Sequence, residues 1–557
     1  MELPFIFPVL LLLCSLSVAV WTCPDGCQCK EDQFLCSRIS SVPPMPTSTK
    51  GLFLFNCSIS SLKPEDFTPL SHALTISIKD CVLGEIHPGT FDSTLNLKVL
   101  TVIGTELQDL PEDLFQNLQQ LDTLNVKSNK LLVLHPKWFS PIKSLIVLDL
   151  SKNQLTSIPV ETFHPLTELK YLMLAGNTIS RLLGGTFKGL SKLKYLRLNR
   201  NLLQQVPSGI FDDLKNLEGL SLNDNRITHL QHDLFSKMPN LQKLFLSNNQ
   251  LRTLPQGLLL HLPLLAQISL YENQLDSFGP GVFGPMALQE LWLYDNKLSR
   301  VEDDTFRNLT QLRLLVLSRN RISYVSTNAF RGLEQIGEIS LHTNLLRTLQ
   351  AGTFQGLPRL LNISLEHNFI TQLPAGFLQG LSHLGQIDLK NNSLPNLPQD
   401  MLDAISVAEE ILLQQNPWRC DKDILPLRNW LRKHPSKSNQ TQVVCDTPLG
   451  LSGEVIATLT EEDLMLQSST QQTLLTSTEW TSNPPAGKTT PPTESEAVTS
   501  SGQGEEGQVS DHTTIILIVV AVVATLVISA TIVRCLYWRR NKTGRGNIGH
   551  RSRSSVL

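Results

Sequence analysis

The chain has 557 residues, of which 41% are hydrophobic and 6% aromatic, and its 47 Lys and Arg side chains nearly balance its 50 Asp and Glu side chains. This near-neutral charge argues against binding of nucleic acid through bulk charge. The charge is unevenly placed, because Arg534 to Leu557 holds seven basic residues and no acidic one. A mildly acidic body with a small basic tail is typical of a membrane-anchored extracellular protein.

Residues 1–20 are predicted to be a signal peptide. Residues 3–20 form one apolar run that ends in small residues suited to cleavage near Ala19. The mature chain would then begin just before Cys23. An uncleaved anchor is the alternative, because the first residues include Glu2 and no basic side chain.

Most of the remaining chain is a repeat. One pattern, LxxLxLxxNxL followed by a Phe ten residues after the Asn, recurs over residues 51–416 with a spacing of 24 residues, apart from one 23-residue step at GPMALQEL. The same register places Cys57, Cys81 and Thr105 at the Asn position of the first three turns. The Asn positions themselves are Asn129, Asn153, Asn177, Asn201, Asn225, Asn249, Asn273, Asn296, Asn320, Asn344, Asn368, Asn392 and Asn416. The period predicts about fifteen to sixteen turns of leucine-rich repeat.

The expected fold is an α/β solenoid with a curved parallel sheet on its concave face and short irregular or helical segments on its convex face. In each turn two Leu-type residues point inward from a short strand, and neighbouring strands stack about 4.8 Å apart. The inward Asn is expected to bond backbone groups of the turns, which would otherwise be buried unpaired. A stacked aromatic spine is expected from Phe67, Phe91, Phe115, Phe139, Phe163, Phe187, Phe211, Phe235, Phe283, Phe306, Phe330 and Phe354, with Leu259, Leu378 and Leu402 in the same position.

A solenoid exposes apolar ends and must be capped. Residues 21–50 form an N-terminal cap whose four cysteines fit a small two-disulfide knot, namely Cys23, Cys27, Cys29 and Cys36. Residues 417–466 form a C-terminal cap, in which Cys420 is free to pair with Cys445 and Trp418 and Trp430 can cover the last turn.

Cys57 and Cys81 occupy the same repeat position in adjacent turns. Because Cys is an accepted substitute for the repeat Asn, two buried thiols are the simpler interpretation. A disulfide between them is the alternative.

The CPxxCxC motif, the 24-residue repeats and the NPWRCD motif together resemble the extracellular leucine-rich-repeat membrane glycoproteins, over about Cys23 to Leu464. Family C-terminal caps usually carry four cysteines beginning CDC, whereas Lys422 stands at the second position here, which suggests that one whole disulfide is missing. The resemblance implies cell adhesion or matrix contact, with a ligand such as collagen or fibronectin. For the platelet members it implies association with another membrane receptor.

Residues 467–512 are rich in Ser, Thr and Pro, with too few apolar residues to fold, and are expected to form an O-glycosylated stalk. N-glycosylation is expected at Asn56, Asn308, Asn362, Asn391 and Asn439. Asn362 lies six residues before Asn368, and the residues six, four and two before each repeat Asn should face outward on the concave sheet. A glycan on Asn362 would obstruct the C-terminal half of that face.

Residues 513–533 are predicted to be a transmembrane helix. Ile515 to Val533 is a run of 19 uncharged residues, enough to cross roughly 30 Å of hydrocarbon. Basic residues follow the run, so the positive-inside bias predicts a type I single-pass protein of the plasma membrane, with an extracellular ectodomain and a cytoplasmic tail over residues 534–557.

The tail ends in a candidate protein-binding motif. Ser555, Val556 and Leu557 place a hydroxyl group two residues before a free apolar C-terminus. A PDZ domain recognises this arrangement by strand addition and carboxylate capture. A PDZ-domain protein is therefore one candidate partner of the tail.

Most outward positions of the concave sheet are polar, but one stretch of four turns is apolar. It comprises Phe245, Tyr271, Trp292, Tyr294, Leu314 and Val316, and a smaller group upstream comprises Tyr171, Met173 and Tyr195. Contiguous exposed aromatics often mark a protein-binding site. The alternative is that these side chains only stack across strands and stabilise the sheet.

His342, Glu366 and Lys390 share one outward column, with His367 beside them. A metal or acid–base site can be imagined there, but a solvated column of alternating charge is the favoured interpretation. The chain has no nucleophile motif, phosphate loop or dense ligand cluster, so neither an enzyme nor a cofactor is expected. Two functions remain: an adhesion or matrix receptor that binds through the concave sheet, and a co-receptor or regulatory subunit that associates laterally with another membrane receptor.

Overall fold

The computed structural model describes residues 22–279 and 281–464. The predicted signal peptide, stalk, transmembrane segment and tail, including the candidate PDZ motif, lie outside these residues. Within the described ranges, every helix is too short or too polar to cross a bilayer.

One sheet of 18 strands runs through the described residues. The first strand is antiparallel to the second, and each later strand is parallel to its neighbour, in a register such as Leu196 beside Leu220 and Leu220 beside Leu244. At the 23-residue step Gln267 pairs with Glu290, so the missing residue falls outside the strands. The strands are Cys27–Lys30, Gln33–Ser37, Gly51–Phe55, Thr75–Lys79, Val99–Ile103, Thr123–Asn125, Val147–Asp149, Tyr171–Met173, Tyr195–Arg197, Gly219–Ser221, Lys243–Phe245, Gln267–Ser269, Glu290–Trp292, Leu314–Val316, Glu338–Ser340, Asn362–Ser364, Leu384–Asp388 and Ala408–Leu412. The predicted repeat solenoid with one parallel sheet is confirmed.

The segments between these strands are short, as expected, but two pairs of them form additional small parallel sheets. Ser58–Leu62 pairs with Val82–Ile86, and Arg300–Val301 pairs with Tyr324–Val325. The α-helices are Pro64–Phe67, Gln399–Ile405 and Leu425–Lys433, and the 3-10 turns are Thr68–Leu70, Pro136–Trp138, Ala375–Leu378, Lys422–Ile424, Gln440–Gln442, Leu449–Leu451 and Ile456–Thr458.

The C-terminal cap is held by the helix Leu425–Lys433. Leu427, Trp430 and Leu431 lie on one face at helical spacing and are buried. The indole Nε1 of Trp430 donates to the hydroxyl of Ser406, 2.8 Å away. Trp418 is also fully buried, so both cap tryptophans lie in the core at the last turn.

The core is a continuous row of leucines and aromatic rings. Every Phe of the expected spine is buried, and so are the three leucines that replace it. Ring centroids in neighbouring turns lie 5.1 Å apart for Phe67 and Phe91 and 5.7 Å apart for Phe330 and Phe354. Each turn packs on the next, so the stabilisation from buried apolar area, about 25 cal/mol per Å², is distributed along the whole solenoid.

The repeat asparagines form a hydrogen-bonded ladder, and Asn225 is representative. Its Nδ2 donates to the carbonyl of Leu222 in its own turn and of Leu198 in the previous turn, each at 3.0 Å. Its Oδ1 accepts from the backbone N–H of Leu203, at 3.1 Å. Each ladder Asn therefore satisfies backbone groups of two adjacent turns that would otherwise be buried unpaired.

Replacement of Asn225 by Ala should lower the free energy of unfolding by about 1–3 kcal/mol, because it leaves buried carbonyl and amide groups without partners. Ser221→Ala, on the outward side of the same turn, is the matched control and should cost little. Thermal unfolding followed by circular dichroism measures both. Equal loss of stability in the two variants would contradict the ladder assignment.

The residue immediately before each ladder position adopts a left-handed backbone conformation, a feature that the repeat pattern did not predict. In all sixteen turns its φ lies between 49° and 69°, and only two of these residues are glycines. They are Asn56, Asp80, Gly104, Ser128, Lys152, Gly176, Arg200, Asp224, Asn248, Glu272, Asp295, Arg319, Thr343, His367, Asn391 and Gln415. Half of them are Gly, Asn or Asp, the types that adopt this conformation most readily, and this enrichment was the available sequence signal.

Gly176→Ala should destabilise the protein by about 1 kcal/mol, because φ at Gly176 is 69° and a Cβ is disfavoured there. Gly184→Ala provides the control, since Gly184 lacks a positive φ and an added Cβ would meet nothing within 4 Å. Chemical denaturation of both variants measures the difference. A Gly184→Ala variant that loses as much stability as Gly176→Ala would show that backbone conformation is not the cause.

Four disulfides are present in the described residues. Cys23 pairs with Cys29 and Cys27 with Cys36 in the N-terminal cap, and Cys420 pairs with Cys445 in the C-terminal cap. The fourth joins Cys57 to Cys81, so the favoured interpretation of two buried thiols was wrong. The reason is geometric: parallel register places the two Cα atoms 4.5 Å apart, within the range that a disulfide spans.

Candidate protein-binding site

The outward side of the main sheet, here called the sheet face, consists of the residues six, four and two before the ladder position of each turn. The turn ending at Asn296 shows the alternation. Leu291 and Leu293 are fully buried, whereas Trp292 and Tyr294 between and after them are only partly buried. The strand period of two thus separates core from sheet face as the sequence predicts.

The six residues of the predicted apolar group are here called the aromatic patch, and the structure brings the central ones together. The patch comprises Phe245, Tyr271, Trp292, Tyr294, Leu314 and Val316, all half-buried. The rings of Tyr271 and Tyr294 stack with centroids 4.5 Å apart, and the ring of Trp292 lies 6.3 Å from that of Tyr271. Val316 is the cross-strand neighbour of Trp292. Phe245 is separated from Trp292 by Ser269, which is itself buried.

Polar groups within the aromatic patch are shielded from water. Burial is the main cause that raises the pKa of Tyr294 to about 12, and the neighbouring Tyr271 and Glu272 add to it. The Tyr294 hydroxyl therefore keeps its proton at physiological pH. The indole Nε1 of Trp292 is buried and has no hydrogen-bond partner. A buried unpaired donor costs about 1–3 kcal/mol, so this N–H group lowers the stability of the patch.

The smaller upstream group is different, because its two tyrosine rings, Tyr171 and Tyr195, stack on each other. Tyr171 and Tyr195 are cross-strand neighbours and stack 5.5 Å apart with nearly parallel planes. Tyr195 also lies over Gly219, where an added Cβ would come within 2.7 Å of its ring. This geometry favours cross-strand stacking as their role.

A third apolar group lies at the N-terminal end of the sheet face and was missed in the sequence. Leu35 of the cap strand is the cross-strand neighbour of Phe53, and Phe55 is on the same strand. Leu35 is 41% exposed and Phe55 40% exposed. The positions two and four before Cys57 identify both phenylalanines, but the repeat pattern does not predict that the cap strand Gln33–Ser37 joins the sheet.

The column of His342, Glu366 and Lys390 is less solvated than expected. Burial raises the pKa of the Glu366 carboxyl, and Asp388 adds to the effect. Burial also lowers the pKa of His342, helped by His367 and Arg319. One carboxylate oxygen of Glu366, Oε2, is buried without a partner. The expectation of a fully solvated column is therefore wrong for Glu366.

Lys390 in that column is paired within its own turn, because its Nζ lies 3.1 Å from Oδ2 of Asp388. Among the residues that the structure describes, no group of three His, Cys, Asp or Glu side chains could hold a metal ion. The imagined metal site therefore has no support within the described residues.

The glycosylation candidates fall into two groups. Asn56, Asn308 and Asn439 are exposed, whereas Asn362 and Asn391 are half-buried. The Nδ2 of Asn391 already donates to Oε1 of Gln415, 2.7 Å away. Asn362 lies on the sheet face, in the strand Asn362–Ser364 and four residues before Glu366. Modification of all five remains a prediction.

With this geometry in place, comparison with known families decides the class. The family described as Leucine rich repeat matches more than half of the chain, at residues 95–155, 119–179, 144–203, 167–227, 191–251, 215–275, 239–294, 286–346 and 358–417. The chain belongs to the leucine-rich-repeat family. This is a repeat family and indicates no catalytic activity.

Curated relatives match short stretches of the chain. Human leucine-rich repeat-containing protein 15 is 52% identical over 40 residues, which is 7% of each chain. The rat platelet glycoprotein Ib beta chain is 40% identical over 52 residues, which is 9% of this chain and 25% of the relative. The chain thus aligns with between 7% and 25% of the length of these relatives. They confirm the resemblance to membrane-type leucine-rich-repeat proteins.

Solved structures show the same fold over longer stretches. The structure of the Drosophila Toll–Spatzle complex superposes with a TM-score of 0.63 at 20% identity, covering 79% of this chain and 72% of that one. A leucine-rich-repeat protein of Leptospira interrogans gives a TM-score of 0.54 at 27% identity, covering 67% of this chain and 91% of that one. The first of these likenesses shows the fold alone.

Glu366→Gln should raise the melting temperature at neutral pH. The raised pKa means that the folded state disfavours the ionised carboxyl, so the stability cost is absent below the unfolded pKa and grows as pH rises through the folded pKa. The variant should therefore match the wild type near about pH 4 and exceed it near about pH 7. Glu410→Gln, at an exposed carboxylate of the sheet face, should shift melting little at either pH. A pH-independent effect of Glu366→Gln would rule out charge burial as its cause.

Proposed function

We propose that this protein is a cell-surface receptor that binds a protein ligand through the aromatic patch and acts in cell adhesion or cell–matrix contact. The observation that carries the proposal is the aromatic patch itself, with the unpartnered indole N–H of Trp292 at its centre. The apolar runs at residues 3–20 and 515–533 support a type I plasma-membrane topology for it.

The energetics of the patch favour binding over a purely structural role. Partly exposed Trp and Tyr side chains are enriched among residues that contribute about 2 kcal/mol or more to protein interfaces. Tyr271 and Tyr294 stack on each other, so ring stacking accounts for two members. It does not account for Trp292, whose N–H stays unsatisfied inside the sheet face. A ligand carbonyl or carboxylate would complete that hydrogen bond.

A matrix protein of the collagen or fibronectin type is the proposed ligand class. The proposal draws on the resemblance to extracellular leucine-rich-repeat glycoproteins, because a solenoid alone does not specify a ligand. A glycan on Asn362 would lie on the sheet face beyond the aromatic patch, toward the C-terminal turns, and would leave the patch itself accessible.

A lateral role is the second candidate, and a separate surface favours it. Leu260 and Leu264 are 49% and 47% exposed. They lie off the sheet face, in the turn where Leu259 replaces the spine Phe, and Leu260 lines a surface cavity with Pro239 and Pro263. Such an apolar flank suits contact with another membrane protein beside this one. The likeness to a chain named platelet glycoprotein Ib beta supports the same idea.

Replacing Trp292 and Phe245 by Ser should weaken binding of a collagen- or fibronectin-type ligand by about 2 kcal/mol or more, roughly 30-fold, as expected for buried aromatic anchors. Binding to cells that display the full-length chain measures the change, with an antibody to the repeats reporting surface expression on intact cells. Tyr195→Ser serves as the matched aromatic control, and Asn362→Gln should leave binding intact or improve it.

The same cells distinguish the two candidate functions. Unchanged ligand binding by the Trp292 and Phe245 variants, together with loss of a co-purifying membrane protein in a Leu260→Ser and Leu264→Ser variant, would reject the sheet-face proposal. Lateral association through the flank would then be the better account.

A further inference from the structure

The sheet face carries opposite charge at its two ends. In the last six turns its outward positions include five carboxylates and one ammonium group, namely Glu290, Glu338, Glu366, Asp388, Glu410 and Lys390. In the ten turns before them the charged outward residues are mostly basic, namely Lys79, Lys127, Arg197, Lys243 and Asp149. The last six turns, from Glu290 to Gln414, are here called the acidic end. A ligand that lies along the sheet face meets a negative field there.

Two buried acceptors at the acidic end have no donor. They are Oε2 of Glu366 and Oε1 of Gln414. Gln414 is only 7% exposed, so solvent reaches little of its side chain. The two residues occupy the same column two strands apart, which corresponds to roughly 10 Å. Lys390 lies between them in that column, but its ammonium group is paired with Asp388.

The missing partner must be a hydrogen-bond donor and should be positively charged. An anionic ligand would be repelled by the five carboxylates, and an apolar one would leave both acceptors unpaired at a cost of about 1–3 kcal/mol each. Burial is the main cause that raises the pKa of the Glu366 carboxyl, and the nearby Lys390 and His367 offset it only in part. A cation placed there would regain that lost solvation.

We propose that the acidic end binds the guanidinium group of an arginine side chain on the protein ligand, with Glu366 as its principal acceptor. A guanidinium presents five N–H groups in a planar fork that matches a carboxylate. It is also more weakly hydrated than an ammonium group, so it enters a half-buried site at lower cost. Gln414 supplies a neutral acceptor at the same end.

The distance between Trp292 and Glu366 sets the spacing of the two ligand residues that could contact them together. Glu366 is three turns from Trp292, or roughly 14 Å along the sheet. Four residues of an extended peptide at about 3.3 Å each span nearly the same distance. A ligand segment with an apolar residue four positions from an arginine can therefore place one side chain on the aromatic patch and the other at Glu366. This inference rests on the proposed function for its use of the sheet face.

The test uses the purified full-length chain after enzymatic removal of N-linked glycans, because a glycan on Asn362 would lie in the same turn as Glu366. A fluorescein-labelled peptide, Leu-Ser-Ala-Ser-Arg-amide, is titrated by fluorescence anisotropy at about 0.15 M salt. Two companion peptides replace the arginine by lysine or by citrulline, which keeps its shape without its charge. The arginine peptide should bind at least about tenfold more tightly than the citrulline peptide and more tightly than the lysine peptide.

Three variants locate the site. Glu366→Gln should reduce the preference for arginine over citrulline to less than about threefold, and Gln414→Met should weaken arginine binding by a smaller factor. Glu410→Gln is the matched control, because it removes one charge from the same end at an exposed carboxylate that Gln386 already hydrogen-bonds. It should retain most of the preference.

Equal binding of the arginine and citrulline peptides would overturn the inference. Equal losses in Glu366→Gln and Glu410→Gln would also overturn it, since a diffuse acidic field would then explain the result. Failure here, combined with loss of matrix-ligand binding in the Trp292 and Phe245 variants, would leave the proposed function standing without the arginine site. Arginine selectivity that depends on Glu366, together with unchanged matrix-ligand binding by the Trp292 and Phe245 variants, would support the arginine site and reject the aromatic patch as the matrix-binding site.

Discussion

The solenoid depends on how each turn satisfies the backbone groups that it buries. A chain that bends away from a short strand every 24 residues carries amide and carbonyl groups into an apolar interior, where an unpaired group costs about 1–3 kcal/mol. The ladder Asn meets this demand because one side chain carries both an acceptor and two donor hydrogens. At Asn225 these groups bond three backbone groups, one in its own turn and two in the turn before.

That requirement explains which parts of the fold could be predicted from the sequence. Once Asn, inward Leu and spine Phe recur with one period, register follows, because a slip of one residue would bury the outward side chains. The strand Glu290–Trp292 keeps its place in the sheet even though the preceding turn is one residue short. The left-handed residue before each ladder position follows less directly, since Lys152 and Thr343 adopt it as well as Gly176. Surrounding hydrogen bonds impose that conformation against local preference.

The sheet face was harder to predict, because its properties depend on neighbours that a repeat pattern does not distinguish. The sequence places Tyr171, Tyr271 and Trp292 on the same surface. Only coordinates show that Tyr171 stacks fully on a neighbouring ring while Trp292 keeps an unpaired N–H. Likewise, alternating charges in one column suggest solvation, yet Glu366 is partly buried beside Asp388. Trp292 and Glu366 each bury a polar atom that has no hydrogen-bond partner, and this lowers the stability of the sheet face.

The Cys57–Cys81 disulfide has a mechanical consequence. In a solenoid each turn contacts only its neighbours, so unfolding that begins at one end spreads turn by turn. The first two turns carry cysteine instead of asparagine, so they lack the side-chain amide hydrogen bonds that join later turns. When the two ends of the solenoid are pulled apart, ordinary turns separate by breaking hydrogen bonds in sequence. The first two turns cannot peel apart in that way, because a covalent bond holds them at the position where the ladder has no asparagine.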